Sequence, residues 1–76
     1  SLMNAPHLTD EGLRPIGAMS KLESLSLMGT RVSDAGMAPV AKLTNLRELD
    51  LLSTRVGEQG VAQLKGLTKL RRLNLD

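Results

Sequence analysis

There is no cysteine, phenylalanine, tyrosine or tryptophan in this chain, and only one histidine. Without cysteine no disulfide can reinforce the fold and no thiolate can hold a metal. That fits a reducing compartment and favours the cytoplasm without fixing the location. Without aromatic rings the interior has to be filled almost entirely by Leu, Val and Met, and bases of a single-stranded nucleic acid find nothing to stack on. No apolar run approaches the ~18 residues of a membrane span. Ser1–Pro6 lacks a basic stretch followed by an apolar one, so no secretory signal is read. No Gly/Ser-rich or Pro-rich stretch marks a linker. Ten basic and eight acidic residues are interspersed along the chain, and the net charge of +2 leans only slightly toward acidic partners.

What the chain does have is a period. Its 76 residues are enough for one small domain or for part of a larger one. A chain this short buries only about 60% of its unfolded surface, so it needs an economical core. Leu22, Leu46 and Leu70 are 24 residues apart, as are Leu25, Leu49 and Leu73, and Leu27, Leu51 and Leu75. Thr30-Arg31-Val32 returns unchanged as Thr54-Arg55-Val56, and Gly36 returns as Gly60. One period back, Leu8, Asp10, Gly12, Pro15, Ile16 and Met19 match Val32, Asp34, Gly36, Pro39, Val40 and Leu43, and Met3 matches Leu27. The expected organisation is a partial repeat over 1–21, full repeats over 22–45 and 46–69, and the opening strand of another over 70–76. All belong to one domain, itself part of a longer array.

Inside each unit the spacing of apolar residues changes. Leu49 and Leu51 are two apart and share one face of a short strand. Val61, Leu64, Leu67 and Leu70 follow at intervals of three, which suits a short α or 3₁₀ helix. Asp10, Asp34 and Glu58 stand where the helices should begin, favourably placed against a helix dipole, with Thr9 and Ser33 as expected N-caps. Pro39 lies awkwardly deep for a helix starting at Asp34, so a turn over 33–37 and a helix over about 38–42 are expected. Gly12, Gly36 and Gly60 fit either a tight bend or close stacking of coils. One strand and one helix cannot bury their shared apolar face alone, but stacked copies can. The expected fold class is α/β: a right-handed β-α superhelix with a short parallel sheet on the concave side and short helices on the convex side.

Leu22-x-x-Leu25-x-Leu27-x-x-Thr30-x-Val32 and its copy at 46–56 resemble the leucine-rich-repeat motif. Leu8-Thr9-Asp10-Glu11-Gly12-Leu13 and Val32-Ser33-Asp34-Ala35-Gly36-Met37 look like the tail of helix-containing repeats, including the ribonuclease-inhibitor-like and F-box-associated types. The resemblance covers essentially the whole chain. It implies a solenoid whose concave face binds a protein partner. Two departures stand out. The turn after the strand carries Pro6, Thr30 and Thr54 where the family often has Asn or Cys, so a threonine ladder is expected. Neither end has a capping repeat, so a longer array or a homo-oligomer formed through uncapped ends is expected.

The concave residues are those between the core leucines: Ser24, Ser26 and Met28; Glu48, Asp50 and Leu52; Arg72 and Asn74, with Leu2 and Asn4 extending the surface. They make an apolar column (Met28, Leu52), an acidic patch (Glu48, Asp50) and a basic one (Arg71, Arg72). These eight positions from Ser24 to Asn74 are the candidate protein-binding site. The competing reading is a solvated spacer whose concave face is idle. His7, Arg31 and Arg55 share one slot and should form a basic rim, either simply solvated or able to steer an acidic partner.

Signals for chemistry are weak. His7 has Arg31 as its neighbour one coil on, which supplies no orienting carboxylate for a nucleophile. Glu48 and Asp50 alternate on one strand face, about 6–7 Å apart, a separation that occurs in glycosidase carboxylate pairs. A shallow sheet without aromatics gives neither carboxyl the enclosure that raises a pKa. The recurrent glycines are explained by the coil rather than by a phosphate loop, and no metal-ligand spacing occurs. No enzyme activity, cofactor, metal, nucleic acid or membrane is therefore expected.

Overall fold

The computed structural model describes residues 7–75, so Leu2, Met3, Asn4 and Pro6 lie outside the described residues. Three short strands, β1 (Ser24–Ser26), β2 (Glu48–Asp50) and β3 (Arg72–Asn74), form one parallel sheet in the order β1-β2-β3. Leu25 pairs with Leu49 and Leu49 with Leu73, so the register of the sheet is the 24-residue step read in the sequence. The same step governs the bonds flanking the strands. Leu27 N–H donates to Asp50 O at 2.8 Å and Leu51 N–H to Asn74 O at 2.9 Å; Arg47 N–H donates to Glu23 O and Arg71 N–H to Arg47 O, both at 2.7 Å.

Leu25, Leu27, Val32, Met37, Val40, Leu43, Leu46, Leu49 and Leu51 are at most 2% exposed and form one cluster with Leu13, Ile16, Leu64 and Leu67. Each coil contributes the same slots, and the leucines of one coil cover those of the next. Burial fades at both sides of the cluster. Val56, Val61, Leu70 and Leu73 are half-buried where their equivalents Val32, Met37, Leu46 and Leu49 are buried, and Met19 is 53% exposed where Leu43 is sealed.

The return segments are helical but brief: α1 (Asp10–Leu13) runs into a 3₁₀ turn at Arg14–Ala18, a 3₁₀ turn at Asp34–Gly36 runs into α2 (Met37–Val40), and α3 is Glu58–Ala62. The turn expected over 33–37 is the 3₁₀ turn at Asp34–Gly36, and α2 begins at Met37, one residue before the expected helix, and ends at Val40 rather than 42. The proline is harmless because it falls within the first turn of its helix. The first four N–H groups of any helix lack an intrahelical acceptor, and Pro39 is the third residue of α2. Pro15 likewise sits at the start of its 3₁₀ turn.

The capping expectation is corrected. Thr9 and Ser33 occupy extended N-cap positions, but neither side chain caps its helix. Ser33 is instead claimed by the preceding coil: its N–H donates to Asp10 Oδ1 at 2.7 Å and its hydroxyl to Asp10 Oδ2 at 2.5 Å. One coil on, Gly57 N–H donates to Asp34 Oδ1 at 2.6 Å. The aspartates therefore begin their helical turns, as expected, but their carboxylates tie one coil to the next. Glycine makes the approach possible. A Cβ at Gly36 would overlap the Asp10 carboxylate, and one at Gly60 would lie 2.6 Å from Asp34 Oδ1 and 2.7 Å from Val56 Cγ1. Close stacking, not a bend, is what those two positions require.

The threonine ladder is made within coils rather than between them. Thr30 Oγ1 donates to Leu27 O and Thr54 Oγ1 to Leu51 O, each at 2.7 Å. They fasten the turn after the strand, where Gly29 (φ 76°) and Ser53 (φ 57°) take equivalent left-handed conformations.

The two aspartate junctions differ by one hydroxyl. Gly57 has the extended backbone of Ser33 (φ −120° against −132°), and a Cβ there would stand 3.8–3.9 Å from both Asp34 carboxylate oxygens. Gly57→Ser should therefore restore the missing bond and reduce unfolded-state freedom, stabilising the chain by about 0.5–1.5 kcal/mol in urea denaturation followed by far-UV circular dichroism. A neutral or destabilising result would show that the hydroxyl in the first junction adds nothing.

Candidate functional site

Strand alternation places Leu25, Leu49 and Leu73 toward the core and leaves the flanking residues on the outer face of the sheet. Six of the eight candidate residues are thereby brought together in two rows. Ser24, Glu48 and Arg72 are in register, as are Ser26, Asp50 and Asn74. Ser24, Glu48, Arg72, Asn74 and Met28 are exposed, Met28 by 39%, whereas Ser26, Asp50 and Leu52 are half-buried. Seven of the eight line one shallow depression of about 250 Å³; Leu52 lies outside it. The apolar column is therefore led by Met28, and Leu52 contributes only part of its side chain.

The expected acidic patch is split by its own hydrogen bonding. Asp50 turns along its chain, with Oδ1 accepting from Leu52 N–H at 3.0 Å. Glu48 Oε2 pairs with Arg72 Nη1 of the neighbouring strand at 3.5 Å. One carboxylate fixes a turn and the other neutralises a cation, so the two are not held as an acid–base pair.

A further ion pair, Glu23 Oε1 with Arg47 Nε at 3.6 Å, flanks the strands. The signal was present as opposite charges 24 residues apart, the same spacing that joins Glu48 to Arg72. Asn45 was also overlooked. Its Nδ2 donates to Ser20 O at 2.9 Å and its Oδ1 accepts from Lys69 Nζ at 2.8 Å, linking three successive coils at their edge. His7, Arg31 and Arg55 are all exposed. Their slot is stacked as expected, since Arg31 N–H donates to Leu8 O and Arg55 N–H to Val32 O, both at 2.9 Å. Among the described residues, no group of His, Cys, Asp and Glu could hold a metal ion, and no helix is long and apolar enough to cross a membrane.

A family model described as a leucine-rich repeat matches residues 18–41. The chain carries a leucine-rich repeat. No curated protein and no solved structure matches it. The matched segment contains β1, the Thr30 turn and α2. Within the matched segment Leu25 and Leu27 are buried and Ser24 and Met28 are exposed.

The division between the two sets is testable. Glu48→Ala should change stability by less than about 1 kcal/mol, as befits an exposed ion pair. Leu49→Ala, next in sequence but 1% exposed, should cost about 2–5 kcal/mol. Urea midpoints read both, and comparable losses would mean that the outer face is committed to folding.

Proposed function

We propose that this chain is a protein-interaction module and that the outer face of its sheet meets the partner. The contact residues are Ser24, Ser26, Met28, Glu48, Asp50, Leu52, Arg72 and Asn74. One observation carries this reading: Met28 is a large apolar side chain, 39% exposed, beside the polar residues Ser24, Ser26, Glu48, Asp50, Arg72 and Asn74 on the outer face of the sheet. Leucine-rich repeats are generally protein-interaction modules, and repeat proteins of this kind bind through the extended surface that stacking creates. The organisation that accompanies the reading is a partial repeat over 1–21, two repeats over 22–69 and the start of another over 70–76. Continued stacking would wind these into a right-handed superhelix with the sheet on its concave side. No catalytic step is assigned to the face.

Met28→Lys should leave the circular dichroism spectrum unchanged and abolish capture of the partner from lysate, whereas Ala38→Lys on α2, also exposed, should not. Retained capture by the Met28 variant would remove the outer face from consideration.

A second reading is favoured by a different observation. The third coil leaves Val56, Val61 and Leu73 half-buried and Leu75 41% exposed. In this reading the chain associates with further copies through these open coil faces, and the outer sheet is idle. Static light scattering should then give a mass that rises with concentration; a constant monomer mass would exclude it.

A further inference from the structure

Where the chain enters the strands, the charges are arranged in rows one coil apart. In the first row Glu23, Arg47 and Arg71 follow one another, joined by Arg47 N–H to Glu23 O and Arg71 N–H to Arg47 O. The Glu23 carboxylate answers Arg47 at 3.6 Å, but the next residue in the row is a second arginine. Neighbouring strands are about 4.8 Å apart, so two exposed guanidinium side chains spring from adjacent coils. Arg71 has no carboxylate partner among the described residues. In the second row Ser24, Glu48 and Arg72 are in register, with Glu48 answering Arg72 at 3.5 Å. All six residues line one depression of about 370 Å³. It holds three cations and two carboxylates.

We propose that this depression binds an acidic peptide segment, with partner carboxylates placed between Arg47 and Arg71 and beside Arg72. Because the partner surface is taken to be the outer sheet face, as proposed above, the depression at the strand-entry end of that face gives the partner a chemical class. Three features favour carboxylates. The depression already accommodates two of them against arginine. Both existing pairs are long and exposed, and such pairs are weakly held and readily exchanged. An added carboxylate can pair with Arg71, which no carboxylate answers among the described residues, and can accept the two parallel N–H donors of a guanidinium. The absence of any aromatic side chain disfavours a single-stranded nucleic acid at the same cations, because bases would have no platform.

The test is fluorescence anisotropy of fluorescein-labelled octaglutamate titrated with the chain at about 20 mM and about 200 mM salt. Binding should be present at low salt and weaken at high salt. Arg71→Glu and Arg72→Glu should each weaken it at least about fivefold, and Arg14→Glu, an identical charge change at an exposed site on the first coil's helical segment, less than about twofold. Absence of binding to the unaltered chain would overturn the proposal, and so would equal losses from all three variants, which would mean diffuse charge attraction. Tighter binding of an oligothymidylate of equal charge would also overturn it and assign the depression to a nucleic acid. Partner capture by the Met28→Lys variant is read separately. Failure of the octaglutamate titration leaves the outer-face reading standing, whereas a Met28→Lys variant that still captures the partner sinks that reading whatever the titration gives.

Discussion

Neighbouring coils are packed so closely that a Cβ at Gly36 would overlap the Asp10 carboxylate and one at Gly60 that of Asp34. There the helical side of one coil has room for no side chain at all on its neighbour. The approach matters because a parallel strand pair leaves the leucines behind it only about 4.8 Å of separation. If the helical sides were held further apart than the strands, the interior between them would open and its leucines would lose contact atoms on one side. The aspartates close that gap from the other direction, by accepting the N–H groups of Ser33 and Gly57. Each is a backbone donor at the start of a helical segment, where no carbonyl of its own coil is in reach.

Once both sides of the coil are fixed at one spacing, the buried slots and the outward slots are separated by strand alternation alone. A residue at the Leu49 position must be aliphatic, because its neighbours on both strands are leucines in register. A residue at the Glu48 or Asp50 position is on the outer face, in register with outward residues of the neighbouring strands, and its chemistry is left to other needs. That freedom is visible in what the rows contain. Serine, glutamate and arginine occupy one row, and serine, aspartate and asparagine the next. The scaffold repeats faithfully while the outer surface changes from coil to coil, which is the property a recognition surface requires.

Much of this could be read without coordinates, because a 24-residue period specifies register directly: Leu25 had to pair with Leu49 if the coils stacked at all. The strand positions and the outward set followed from a two-residue alternation. What the sequence could not convey was where carboxylates point. Asp10 and Asp34 precede helical segments, and local reasoning assigns such residues to the dipole and their Thr9 and Ser33 neighbours to caps. The actual acceptors and donors are 23 residues apart. The recurrence of Asp and Gly together at the coil period was the available clue. The separate partners of Glu48 and Asp50 were hidden for a similar reason. Alternation places two side chains on one face but says nothing about a competing N–H two residues away or an arginine on the next strand. Leu52 is read from the sequence as an outward residue and is half-buried, whereas Met28 in the equivalent position one coil earlier is exposed.

The distribution of charge is not required by the coil. The aspartates that serve the stacking belong to the helical side, and the cations at 47, 71 and 72 belong to the strand entrance. Asp10 and Asp34 tie one coil to the next, Glu23 and Glu48 answer Arg47 and Arg72, and Arg71 is left without a carboxylate partner among the described residues. Arg71 follows Arg47 in the same row, where an acid would have extended the pairing that Glu23 begins. The coil does not dictate that choice, because the row lies on exposed positions whose chemistry the buried leucines leave open.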